Sequence, residues 1–250
     1  MLGTLAVDGR TLLVETVVDG VELVPAQVQK DRERVLAAGR AFVQALPVVR
    51  DAADNQGWYD AAVADPLGRL AQRVPGDAEL QRLVERTHDA LGPLRGAALP
   101  AVFEHADLSH PNLFLLPAGG LGVIDWERAT TEGVPGHDLV FFLQYVAESS
   151  RSAWTRPAQA AALDDAFAGE GAWAMTLLRD HLRHRGVEPG LAGPLVLATW
   201  ARSAATLAAR LPAEQGLTET DAFAGVVAVD RDVVLWRRAV ELAETGRLGA

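Results

Sequence analysis

The feature that most constrains this chain is a change of period near its centre. Leu113-Phe-Leu-Leu116 and Leu121-Gly-Val-Ile124 are two short β-type runs, and Pro117-Ala-Gly-Gly120 between them has the residues of a hairpin turn. Ala101-Val-Phe103 is a further short strand just ahead of them. On both sides the apolar residues recur at helical spacing instead. Val35, Leu36, Ala38, Phe42, Val43 and Leu46 make one helix face, closed by Pro47. Leu80, Leu83, Val84 and Leu91 make another after Pro75-Gly76-Asp77, where Asp77 is placed to cap the helix. Residues 50–73 show no clear period. From His137 onward the spacing predicts helices alone, near 138–149, 157–168, 171–185, 190–211 and 219–245, with prolines and glycines between them. A small hairpin set in a mostly helical body is an α+β arrangement dominated by helix.

The first residues read differently. Thr11 to Val18 and Val21 to Val24 are rich in β-branched side chains and flank Asp19-Gly20, so a hairpin turning at Asp19-Gly20 is expected, ended by Pro25. The chain thus divides into a short β piece over 1–26 and a helical body over 27–250.

The residues that carry chemistry lie around the central hairpin. His105, Asp107 and Asn112 sit on the loop before it, and Asp125 follows its second strand. A hairpin brings its outer ends together, so Asn112 and Asp125 should meet at one mouth. One amide oxygen and one carboxylate suit Mg²⁺, a hard cation that completes its shell with water and phosphate. Asp107 is placed to accept a proton from a hydroxyl.

The run His105-Ala-Asp107-Leu-Ser-His-Pro-Asn112, followed by Ile124-Asp125-Trp126-Glu127 and Gly133-Val-Pro-Gly-His-Asp138-Leu, resembles the aminoglycoside phosphotransferase and choline kinase branch of the protein-kinase-like enzymes. The resemblance covers roughly Leu12 to Val146, with the motifs in family order. It implies a kinase-like C-terminal lobe, with Asp107 activating the acceptor, Asn112 and Asp125 holding Mg²⁺, and His105 and Asp138 supporting the site. It also implies ATP as co-substrate, its adenine held by the backbone of a hinge at Glu15, Thr16 and Val17. Read on its own, His105 is a hydrogen-bonded loop brace, Trp126 a core residue, and Asp138 either a helix cap or a buried brace.

The sequence departs from that pattern before the hinge. A phosphate-covering glycine-rich loop, a strand lysine and its partner glutamate are expected there, yet only about ten residues precede the hinge strand. Lys30, the single lysine, follows the hinge and is expected near the start of a helix. The expectation is therefore a remnant of the N-terminal lobe. It would be explained by a start placed too late, a natural truncation, or a lobe supplied by another chain. Weak or absent kinase activity and a sticky N-terminal edge able to self-associate follow from it. Two rivals remain: a catalytically silent binding relative, and a metallohydrolase using His105, Asp107, His110 and Asp125.

Composition narrows the partners. The net charge of −10, with no basic stripe, argues against nucleic acid and favours solubility or a cationic small acceptor. Glu148, Asp164, Asp165 and Glu170 on the later helices are candidates to face such an acceptor. His181 and His184 read as a solvated helix end. With no cysteine, no long apolar run and no signal-like start, a cytoplasmic protein without a membrane span is expected.

Overall fold

The computed structural model describes residues 3–14, 16–215 and 220–249. Its architecture is α+β and predominantly helical, with three small antiparallel sheets. β1 (Gly3–Val7) and β2 (Arg10–Val14) form a two-stranded hairpin, pairing Val7 with Arg10 and Gly3 with Val14. Its turn is Asp8-Gly9, with φ of 50° and 76°. Positive φ at both central residues is the twist that two-residue hairpins favour. The turn expected at Asp19-Gly20 is therefore a correction: two Asp-Gly pairs were available, and the earlier one closes the hairpin. β3 (Val21–Glu22) pairs instead with β6 (Leu113–Leu115), which pairs in turn with β7 (Leu121–Val123). Gly20 permits that approach, since a Cβ there would lie 3.1 Å from both the Leu115 carbonyl oxygen and the Phe114 Cβ.

Pro25 does not merely end a strand. It starts α1 (Pro25–Lys30), where its missing N–H costs nothing. Lys30 closes that helix and does not begin one. α2 (Arg32–Ala45) follows. Its C-terminal end is held by Arg185, whose Nη2 donates to the carbonyls of Val43, Gln44 and Leu46. β4 (Val48–Arg50), β5 (Ala101–Glu104) and β8 (Thr130–Gly133) make the third sheet, in the order β4-β5-β8. The unperiodic stretch contains a short π-helical turn at Asp60–Ala64, running into α3 (Asp65–Arg73). α4 (Ala78–Ala90) begins as expected: the Asp77 carboxylate accepts from the N–H groups of Glu79 and Leu80.

The helical body is organised round α5 (His137–Ser150), whose residues from His137 to Ser149 are all buried. A helix apolar on nearly every side must sit inside. Gly39 of α2 lets the two helices close up, because a Cβ there would fall 2.2 Å from the Phe142 ring. α6 (Arg156–Phe167), α7 (Trp173–His184), α8 (Ala192–Gln215), α9 (Thr220–Val229) and α10 (Arg231–Glu244) surround it. The single helix expected over 219–245 is two, because Asp230 caps a new start by accepting from the Asp232 N–H. The expected solvated helix end at His181 and His184 is half right. His184 is exposed, but His181 is buried, and burial lowers its pKa to about 3. Among the described residues no helix is long and apolar enough to cross a membrane.

Candidate active site

β5 delivers the chain to the loop of residues 105–112, and α5 holds that loop from behind. The Asp138 carboxylate, 4% exposed, accepts from the N–H groups of His105 at 2.7 Å and Ala106 at 2.9 Å. This is the buried brace and not a helix cap, since Gly136 occupies the cap position. Burial and then the nearby Glu104 charge push the Asp138 carboxyl up to about 7, against the pull of those two N–H groups. Ala106 accepts a left-handed backbone, φ 65°, which costs on the order of 1 kcal/mol and turns the loop outward.

His105 ties the loop to the hairpin. Its Nδ1 accepts from the Asp107 N–H at 3.2 Å, so Nε2 carries the proton and donates to the Ile124 carbonyl at 2.9 Å. The ring is neutral, and burial lowers its pKa. It meets the Trp126 ring edge-on at 4.7 Å. Trp126 is a correction to the core reading: it is 40% exposed and lies over Phe103, with its indole N–H on the Val123 carbonyl.

The ladder sets the mouth. Leu113 pairs with Val123, and the Ile124 N–H donates to the Asn112 carbonyl at 3.0 Å, so Asn112 and Asp125 leave the hairpin at the same end. The Asn112 amide nitrogen donates to the Asp107 carbonyl at 3.1 Å, which fixes the amide and joins 107 to 112. Asp125 is exposed, stands at φ 63°, and has no ion-pair partner among the described residues. After it a single 3-10 turn, Trp126–Arg128, curls back and sets Arg128 Nη1 3.4 Å from Asp107 Oδ2. The Asp107 carboxylate remains 32% exposed.

Behind the loop lies a second charged group that sequence reasoning missed. Glu104, fully buried, takes both Nη atoms of Arg202 at 3.2 Å and the Val134 N–H at 2.8 Å. Burial pushes its carboxyl up, but Arg202, His137 and these hydrogen bonds outweigh that and hold it below the usual range. Burial lowers neighbouring His137 to about 4, so it is neutral and its Nδ1 accepts from Arg202. Gly133 fits here because a Cβ would lie 2.4 Å from the Glu104 Cβ. Glu104, Arg128, His137 and Arg202 line a cavity of about 230 Å³ that opens beside Ala106. Arg202 lies 98 residues from Glu104 and carries no local signal of the pairing.

A family model described as the phosphotransferase enzyme family (APH) matches residues 6–181, more than half of the chain. The chain belongs to that phosphotransferase family. Searches of curated proteins and of solved structures gave no significant match. Membership in the phosphotransferase family implies a kinase-like fold, and the matched span includes the loop, the hairpin and Asp138.

Other expectations fare unevenly. Glu15 lies outside the described residues. Thr16 and Val17 are irregular and exposed, Val17 at 94%, and their backbone groups make no hydrogen bond among the described residues. The four-residue metal cluster of the metallohydrolase rival does not form. Both ring nitrogens of His105 are taken by backbone, while His110 Nε2 lies 3.0 Å from Glu22 and its ring stacks on Tyr145. No group of three or more metal-binding side chains is found among the described residues. The acids proposed to face an acceptor are engaged elsewhere: Glu148 with Arg231, Asp164 with Arg238, Asp165 with Arg151. Glu170 lies in the turn after α6. None of the four lines the cavity beside Ala106.

Proposed function

We propose that this chain transfers a phosphoryl group from ATP to a hydroxyl of a small molecule, with Mg²⁺ as cofactor. The observation that carries the reading is the hairpin mouth: Asn112 and Asp125 emerge together, and Asn112 is hydrogen-bonded to the backbone of Asp107. The donor set fits the ion. Asn112 presents an amide oxygen, and Asp125 presents a carboxylate that no arginine among the described residues occupies. Asn112 and Asp125 would hold Mg²⁺, which neutralises phosphate charge when bound. Asp107 receives the acceptor hydroxyl and takes its proton on the partly exposed carboxylate, while Arg128 keeps positive charge beside it. Asp138 and His105 orient the loop without touching substrate. The open backbone at Thr16 and Val17 suits the adenine edge. The acceptor enters by the cavity next to Ala106, and a cytoplasmic setting supplies the nucleotide.

A second reading, a binding relative without catalysis, rests on Lys30. The single lysine of the sequence is exposed at the end of α1, past the hinge segment, and not on a strand facing phosphate.

The test is phosphorus NMR on the purified chain with ATP, Mg²⁺ and a panel of hydroxyl compounds. Slow formation of phosphorylated product is expected, since the phosphate-gripping lysine is missing from the hinge side, and Asp107→Asn is expected to cut the rate further, by about a thousandfold, while nucleotide binding persists. Turnover unchanged by Asp107→Asn would refute the proposal. Saturable Mg²⁺-ATP binding with no product from any compound would favour the silent relative.

A further inference from the structure

The cavity beside Ala106 is charged against the trend of the molecule. The chain as a whole carries −10, which taken alone favours a cationic acceptor. The charged lining of the cavity is two arginines, Arg128 and Arg202, against one acid, Glu104, with His137 neutral. Thr130, Arg202 and Thr206 also line a second cavity, of about 250 Å³, so the two adjoin. Glu132 is the acid of that second lining, and both Nη atoms of Arg50 hold its carboxylate, at 2.7 and 2.9 Å. Glu104 is held in the same way by Arg202. Among the described residues, neither lining offers a free carboxylate.

The arginines are the reverse case. The Arg128 side chain is 19% exposed, yet none of its five N–H groups makes a hydrogen bond among the described residues; Asp107 is its only ion-pair partner there, at 3.4 Å. Arg202 is 14% exposed. Its Nη1 serves Glu104 and His137 and its Nη2 serves Glu104, which leaves the Nε–H and one N–H of Nη2 without an acceptor. None of these unfilled nitrogens is closed off from solvent, so they face the open space that the two residues line. Comparably covered arginines elsewhere are filled: Arg231 holds Glu148 and Asp232, and Arg238 holds Asp164 and Glu241. A guanidinium withdrawn from water and short of acceptors favours an anion beside it.

We propose that the acceptor carries an anionic group, a carboxylate or a phosphate, held by Arg128 and Arg202 while its reacting hydroxyl lies at Asp107. This rests on the reading that the cavity beside Ala106 admits the acceptor. Both anions present paired oxygens that match a guanidinium fork. The anionic group takes no part in the bond changes; it fixes the compound in place. An ammonium compound would meet two arginines and no free carboxylate, so the same lining selects against it. The second cavity has room for the remainder of the compound between Trp58 and Thr206.

Calorimetric titration of the full chain without nucleotide tests it, using six-carbon polyols that differ at one end: gluconate, sorbitol 1-phosphate, sorbitol and glucamine. Saturable binding is expected for at least one of the two anions, about tenfold or more tighter than for sorbitol, with none for glucamine. The tighter of the two anions tells a carboxylate site from a phosphate site. Arg128→Gln is expected to weaken the anion about tenfold and to keep the thermal midpoint, because Arg128 holds no hydrogen bond that folding needs. Thr206→Asp, at an exposed position in both linings, is expected to weaken the anion about fivefold and to leave sorbitol unchanged. The proposal is overturned if neither anion binds more tightly than sorbitol, if glucamine binds as well as the anions, or if Arg128→Gln at an unchanged midpoint keeps the anion affinity. Should that variant melt lower, an unchanged affinity in Thr206→Asp overturns it instead. Adding ATP and Mg²⁺ separates the two readings. An anion that binds as expected but yields no product counts against phosphotransfer alone, whereas product formed as fast from sorbitol as from the anions counts against the anionic acceptor alone.

Discussion

The protein has two hairpins of similar size, and they are built on opposite terms. The first, β1 with β2, leaves Leu5, Val7 and Leu12 roughly half exposed, and every residue of β1 after Gly3 faces solvent. The second, β6 with β7, buries Leu113, Leu115 and Leu121. It adds β3 as a third strand, and His105 ties its far end to the loop of residues 105–112. A lone two-stranded ribbon is marginal in water. Turn chemistry therefore makes either hairpin possible, while packing and a buried brace hold only the second one firmly in the body of the protein.

The sharpest way to break this comparison is to remove the brace. Asp138→Ala leaves the His105 and Ala106 N–H groups without an acceptor in a buried site. Each orphan costs about 1–3 kcal/mol, so a loss of about 3 kcal/mol is expected. A denaturant titration should show it, together with collapse of any phosphotransfer. An unchanged midpoint would mean that the second hairpin stands without help from α5.

Acid should loosen the same support more gently. His137 and His181 are buried neutral, with pKa values lowered to about 4 and about 3. Their unfolded forms bind protons first, so stability falls as pH drops through the window below 6.5. Asp138 works in the other direction. Its carboxyl is raised to about 7, so acid relieves its buried charge as pH falls from 7 towards 4. The two histidines outweigh the one carboxyl. These three groups predict a net loss on the order of 2 kcal/mol between pH 7 and pH 4.5. Thermal melts at those pH values check the sign, and Asp138→Asn should steepen the slope.

The smallest effect belongs to the first hairpin. Leu5→Lys should change unfolding stability by less than about 0.5 kcal/mol. It should also reduce any concentration-dependent association seen in sedimentation, because it charges an open two-stranded edge. A large destabilisation would show that this ribbon packs more firmly than its exposure indicates.

What was legible in the sequence followed its range. The loop of residues 105–112 and the hairpin after it could be read because His105, Asp107, Asn112 and Asp125 lie within one local stretch, and Pro117 to Gly120 is unambiguous turn chemistry. α2, α4 and most later helices could be read from period alone, while the break at Asp230 between α9 and α10 could not. β4 and β8 could not: at three and four residues they hold too few alternations to register. The first hairpin was misplaced because Asp8-Gly9 and Asp19-Gly20 offer the same local signal, and only pairing partners distinguish them. Trp126 looked like core because size suggests burial, yet its position after a left-handed residue puts it at the surface. Glu104 with Arg202 was invisible, as a contact between a strand end and a helix 98 residues away must be. The carboxylates at 148, 164 and 165 could not be told from free surface acids by charge alone. What separates them is an arginine that only folding brings near, from α10 for Glu148 and Asp164 and from the end of α5 for Asp165.

The left-handed backbone at Asp125 acts as a swivel for the mouth. One torsion throws its carboxylate clear of the ladder and sends the next three residues back towards the loop, where Arg128 comes to rest on Asp107. Glycine there would keep the path of the chain and discard the acid. A β-branched residue would resist the torsion and pull Arg128 off its station. A single φ angle thus sets where a cation three residues on meets an acid eighteen positions back.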